Sequence, residues 1–199
     1  MRNIFFSFYF FSLFLLIGCS NKDYKITTTI LMNYLCTCES GSRYGIYDIN
    51  NDGNIELLTV RHDSHADGIT IHTLSNKTNK LTELGTFGSY GSIQIYPKDG
   101  YIEDYYLGHG ITEIKIYTVT DDKLNTVVEL WTNDGTLEDI PKYKVNGIPV
   151  SKENYIITYN EYTSSSELKI TYNDLKEFIN YETNYRDVYD SIKDLNINR

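Results

Sequence analysis

The sequence predicts an α+β domain: an antiparallel β-meander of eight strands, set out as two successive four-stranded sheets, with a helix before it and helices after it. Three observations carry this. Between Arg43 and Thr132 short β-branched and Tyr-rich runs recur with period two. The Gly, Asn, Asp and Lys clusters between them are too short to hold a crossover helix, so neighbouring strands must run antiparallel. Outside that interval the apolar residues recur at helical spacing.

Met1-Arg2-Asn3 precedes an uncharged apolar run from Ile4 to Ile17 that is too short to span a bilayer, the layout of a secretory leader. The run ends in Leu16-Ile17-Gly18-Cys19, which resembles the lipobox of a bacterial lipoprotein precursor. That resemblance implies a signal peptide over residues 1–18, cleavage after Gly18 and acylation of Cys19. The chain would then hang from a lipid bilayer by its acyl groups, each buried CH₂ contributing roughly 0.8 kcal/mol. Residues 19–23 form a lipidated tether and residues 24–199 a single extracytoplasmic domain. Ser20 is compatible with sorting to an outer membrane or cell surface.

Ile26, Ile30, Leu31, Tyr34 and Leu35 form a helical stripe, weakened by the β-branched run Thr27-Thr28-Thr29. The strand runs are Tyr44 to Ile49, Ile55 to Arg61, Gly68 to Leu74, Leu81 to Phe87, Ser92 to Tyr96, Tyr101 to Leu107, Ile111 to Val119 and Leu124 to Trp131. Lys98-Asp99-Gly100 and Thr120-Asp121-Asp122-Lys123 read as hairpin turns. The meander thus occupies residues 43–132, with a hairpin and helices over 141–196. Asn146-Gly147 closes a hairpin between Tyr143-Lys144-Val145 and Ile148-Pro149-Val150. Ser151 can cap a helix whose stripe is Tyr155, Ile156, Tyr159 and Tyr162. Asn173 can cap a longer one with Leu175, Phe178, Ile179, Tyr185, Val188, Tyr189, Ile192 and Leu195 on one face.

A net charge of -9 leaves no cationic surplus for a phosphate backbone, which excludes nucleic acid as a partner. With 41% hydrophobic residues the chain is too apolar for disorder, and three cysteines are too few for a disulfide scaffold.

The segment Asp48-Ile49-Asn50-Asn51-Asp52-Gly53-Asn54-Ile55-Glu56 fits the pattern Asp-x-Asn-x-Asp-Gly-x-x-Glu. Alternate side chains along such a loop can turn oxygens toward one centre, which suits calcium with its six to eight oxygen ligands. Asp48, Asn50, Asp52, the backbone carbonyl of Asn54 and Glu56 are the candidate ligands, and Gly53 makes the sharp turn. Thr59 stands where a helix-loop-helix EF-hand has its bidentate Glu, and both flanks read as strands, so this is not an EF-hand domain. The loop is similar to the calcium loops of FG-GAP and related β-propeller repeats, where an Asp-rich loop joins two strands of a blade; the resemblance covers Tyr44 to Leu74 and implies propeller-blade-like sheets. The chain also resembles a class of uncharacterised bacterial lipoproteins with such an early loop and a Tyr-Lys-Val-Asn-Gly hairpin, which brings no established activity. The competing reading is a polar turn, since Asn-Asp-Gly is also a turn tripeptide.

Asp134-Gly135-Thr136-Leu137-Glu138 repeats only the second half of the motif and reads as a turn. His62 and His65 have the spacing of transition-metal ligands but fall in an expected hairpin loop; His72 and His109 stand alone, and Cys36-x-Cys38 is too strained a closure to predict redox chemistry. No nucleophile elbow, His-Glu-x-x-His or phosphate loop occurs, and no catalytic residue stands out. The remaining candidate is an aromatic surface for a protein or carbohydrate ligand built from Tyr96, Tyr105, Tyr117 and Trp131. The expected role is a membrane-anchored binding or structural protein with a structural calcium ion. The alternative is a cell-envelope hydrolase whose catalytic groups are scattered in sequence.

Overall fold

A computed structural model describes residues 24–39, 41–61, 66–97, 99–133, 135, 140–163 and 169–197. The expected leader and tether, Cys19, His62, His65 and most of the second Asp-Gly segment lie outside the described residues. The fold is α+β, with two antiparallel sheets in meander order and helices at both ends of the chain. Among the described residues no helix is long and apolar enough to cross a membrane.

The chain divides into two compact units, residues 39–178 and residues 1–38 with 179–199. In the larger unit the first sheet contains β1 (Arg43–Tyr47), β2 (Ile55–Val60), β3 (Ile69–Ser75) and β4 (Lys80–Phe87). The second contains β5 (Gly91–Tyr96), β6 (Tyr101–Gly108), β7 (Ile111–Thr120) and β8 (Lys123–Asn133). Each expected four-stranded meander is widened from the C-terminal part. β9 (Tyr143–Val145) and β10 (Ile148–Pro149) extend the second sheet beyond β8, and β11 (Lys176–Glu177) pairs with β1. Asn146 and Gly147 both have positive φ, the conformation that a two-residue hairpin turn requires.

The two sheets face each other across one core. Leu58, Val60, Ile69, Ile71 and Phe87 from the first meet Ile93, Ile95, Ile102 and Val119 from the second. All six residues of β2 are buried, because this central strand is covered on both faces. The opposite face of the second sheet offers Ile114, Ile116, Val128 and Leu130 to α2 (Lys152–Thr163). Ser151 caps α2, accepting the Asn154 N–H at 3.2 Å. Tyr155, Tyr159 and Tyr162 face the sheet as the spacing predicts, whereas Ile156 turns outward, 43% exposed.

In the smaller unit α1 covers residues 24–35 and α3 runs Tyr181–Ile197. Tyr24 and Tyr189 meet edge to face at 6.5 Å. The buried stripe of α1 is Thr28, Leu31, Met32 and Leu35, which leaves the expected Ile26 exposed. Its threonines are accommodated by back-bonding: Thr28 Oγ1 donates to the Tyr24 carbonyl at 2.7 Å.

The long C-terminal helix expected from Asn173 begins seven residues later. Asp174 accepts from the N–H and hydroxyl of Thr171, which closes a single 3₁₀ turn over Tyr172–Asp174. Lys176 and Glu177 then extend along β1, with Phe178 N–H donating to the Ser42 carbonyl at 2.8 Å. Leu175 and Phe178 are buried as the stripe implies, but from an extended segment. The true cap is Asn180, whose Oδ1 accepts the Thr183 N–H at 2.9 Å.

Candidate calcium loop at the seam of the two sheets

Residues 48–54 join β1 to β2, and their side chains build the turn. Asp48 accepts the N–H groups of Asp52 at 3.2 Å and Gly53 at 3.3 Å, while Asp52 Oδ1 accepts that of Asn54 at 2.7 Å. Asn51 and Gly53 have φ of 55° and 96°, the left-handed region that Asn and Gly adopt most readily. Asn50 and Asn54 both direct their amide nitrogens to Asp52 Oδ2, at 2.9 and 3.3 Å.

The loop also ties the first sheet to the second. Asn50 Nδ2 donates to the Val119 carbonyl at 2.9 Å, and Asn51 Nδ2 to the Pro97 carbonyl at 3.0 Å. Asn54 Nδ2 donates to Asp122 Oδ1 at 3.1 Å. Asp122 belongs to the β7–β8 turn, in which both Asp121 and Asp122 have positive φ. From the first sheet, Asn76 N–H donates to Asn54 Oδ1 at 2.9 Å and its amide donates to the Gly53 carbonyl.

Glu56, the second residue of β2, stands directly behind the loop and is fully buried. Its oxygens accept the Ile49 N–H at 2.8 Å and the Thr73 hydroxyl at 3.1 Å. Burial first, then the charges of Asp52 and Asp48, push its carboxyl up to about 8, against the two hydrogen bonds that favour the charged form. Among the described residues no three His, Cys, Asp or Glu converge closely enough to hold a metal by themselves. A cation here would need the amide and carbonyl oxygens of Asn50 and Asn54 beside the carboxylates. Sequence spacing identifies the loop residues; it gives no sign of Val119 in β7 or of Asn76, Pro97 and Asp122, which arrive from turns elsewhere in the chain.

The aromatic candidates do not share one face. Tyr96 and Tyr105 lie on the side of the second sheet that α2 covers, and Tyr117 and Trp131 on the other. Tyr96 is fully buried, and its hydroxyl donates to Glu103 at 2.5 Å. Glu103, itself buried, also accepts from the Tyr159 hydroxyl at 3.2 Å. Burial and then this carboxylate hold the Tyr96 hydroxyl far above its ordinary value. Tyr117 packs edge to face on Phe87 in the inter-sheet core, and Lys144 stands over the Trp131 ring at 4.6 Å. The alternation of Tyr101, Glu103 and Tyr105 places the acid on an aromatic face, the one signal that could have identified Glu103.

No family model matches the chain, and no curated protein or solved structure matches it. Cys36 and Cys38 follow the end of α1, Cys36 exposed and Cys38 donating from Sγ to the Tyr34 carbonyl at 3.8 Å; His109 occupies a turn with φ 54°, and His72 is buried within β3.

Proposed function

We propose that this chain is a lipid-anchored, extracytoplasmic bacterial protein acting as a binding or structural surface protein, in which a calcium ion at loop 48–56 fastens the two sheets. One observation carries the calcium reading: the loop that concentrates Asp48, Asn50 and Asp52 is also the loop whose amides reach Val119, Pro97 and Asp122 in the second sheet. Asp48, Asn50 and Asp52 would hold the ion with the Asn54 carbonyl and Glu56, an all-oxygen set of the kind calcium takes. A cation there offsets the repulsion that Asp52 and Asp48 impose on Glu56. Such a cage is filled by protein oxygens and leaves little room for substrate, which favours a structural ion over a catalytic one. The anchor rests on Leu16-Ile17-Gly18-Cys19.

Calorimetric titration of the full chain with calcium, beside Asp48→Ala and Asp52→Ala, tests the ion; equal heats in all three would refute it. Metabolic labelling with a palmitate analogue tests the anchor. Label must appear in the native chain and vanish in Cys19→Ala.

A further inference from the structure

The face of the second sheet that packs on the first is covered at Tyr117 and Val119 and opens toward the other end of β7. There Tyr106, Glu113, Trp131 and Lys144 are direct cross-strand partners on β6, β7, β8 and β9, so they form one straight row on that face. Strands lie about 4.8 Å apart, which makes the row about 14 Å long. Two residues along each strand, Asp104, Lys115 and Glu129 form a second row beside it.

Tyr106 is set to receive a flat ligand. A Cβ built at Gly108, two residues on and on the same face of β6, would run into the Tyr106 hydroxyl and ring, so the ring leans along the strand over bare backbone. Gly91, its direct partner on β5, puts no side chain beside it. A ring lying over glycine offers its outer face to solvent, and Tyr106 is 37% exposed.

Around this ring the polar groups alternate in sign. Lys115 Nζ pairs with Glu113 at 3.0 Å, their side chains 34% and 39% exposed, and Lys144 stands over the Trp131 indole at 4.6 Å. Within the two rows three carboxylates stand against two ammonium groups, so the rows have little net charge but many hydrogen-bond donors and acceptors. A pyranose complements such a surface. Its C–H face stacks on an aromatic ring, and its hydroxyls both donate and accept. An ion of either sign would meet both signs at once.

We infer that this face is a binding site for a neutral oligosaccharide of β-1,4-linked pyranoses, one ring stacked on Tyr106 and the chain lying along the row toward Trp131, with hydroxyls bonded to Glu113, Lys115 and Lys144. The linkage follows from shape: β-1,4 linkage gives a straight ribbon, whereas α-1,4 linkage coils away from a straight row. This gives the binding reading proposed above its ligand class and rests on that reading; calcium heats and palmitate label report on the loop and the anchor separately.

Cellohexaose and N-acetylchitohexaose, titrated into the full chain, test the site. Trp131 is the single tryptophan, so its emission reports occupancy of the row. At least one of the two sugars should shift that emission saturably, and maltohexaose should bind roughly tenfold more weakly. Tyr106→Ala should lose roughly tenfold in affinity at an unchanged melting temperature, while Tyr106→Phe, which keeps the ring, should stay within about twofold. Gly108→Ala should weaken binding too, because its methyl displaces the ring. Failure of both β-1,4 probes to bind, equal binding of maltohexaose, or unaltered affinity in Tyr106→Ala would each overturn the assignment. Dimerisation that shifts Trp131 emission without sugar would overturn it as well, giving the face to a second copy of the chain. Absent sugar binding beside intact calcium heats and palmitate label would sink this inference alone.

Discussion

The side chain of Asn50 donates a hydrogen bond of 2.9 Å to the backbone carbonyl of Val119, 69 residues further along the chain and in the opposite sheet. A turn residue of β1–β2 thereby becomes a fastener between sheets. Asn50→Ala should cost about 1 kcal/mol of unfolding free energy, the usual net worth of such a bond. Urea denaturation reads this as a lowered midpoint with unchanged slope. Asn51→Ala and Asn54→Ala, in the same loop and with partners in the β5–β6 and β7–β8 turns, should give losses that are not additive with it.

Calcium at 100 times its dissociation constant should add about 2.7 kcal/mol to the folded state, or a rise of about 5–10 °C in melting temperature. Asp48→Ala and Asp52→Ala should abolish the rise, and a chelator should return the native chain to its calcium-free midpoint. A native protein whose melting is indifferent to calcium leaves residues 48–56 as a turn.

Tyr96 and Glu103 are buried together beneath α2, so Tyr96→Phe strips a carboxylate of its shorter hydrogen bond. The expected cost is about 1–3 kcal/mol, since a buried acceptor is left short of a partner. Tyr159→Phe should cost less, because its bond is longer, at 3.2 Å. In a double-mutant cycle, Tyr96→Phe and Glu103→Gln should couple strongly, while Tyr96→Phe and Asn180→Ala should add.

His72 is buried in β3, and burial lowers its pKa below the ordinary value, although Glu83 opposes the shift. A depressed folded value means that the unfolded chain binds the proton first as pH falls. The stability linked to this group is therefore present above about pH 6.5 and is lost as pH drops through the lower folded value. Urea midpoints at pH 7.5 and pH 5 should diverge more in the native chain than in His72→Phe. Equal divergence would mean that His72 does not contribute.

Asn180→Ala should remove about 1 kcal/mol and fray the start of α3, because the Asn180 side chain holds the Thr183 N–H. Asn173→Ala should leave helical circular dichroism unchanged, since the chain there forms a 3₁₀ turn held by Asp174.

The difference between Asn173 and Asn180 shows where local signals stop. Both are good caps, and the stripe from Leu175 onward has helical spacing, but the β1 edge offers Lys176 and Glu177 a ladder and the core takes Leu175 and Phe178. Tertiary burial outweighs a propensity worth tenths of a kcal/mol per residue. The eight strands were legible because most alternate and turn-forming clusters containing Gly, Asn or Asp separate them. The widening of both sheets was not, since β9, β10 and β11 contribute only two or three residues each.

The sequence alone determined the fold class, the hairpin order and the oxygen-rich loop, because period, turn chemistry and ligand spacing are properties of neighbouring residues. Tertiary structure decided what those parts do together: that Asn50 and Asn54 reach Val119 and Asp122, that Tyr96 is buried on Glu103 instead of facing solvent, and that Tyr106 shares one row with Trp131 and Lys144. Each of these depends on residues tens of positions apart meeting when the sheets pack. Hydrophobic burial selects that arrangement for the chain as a whole and leaves no mark on any one segment.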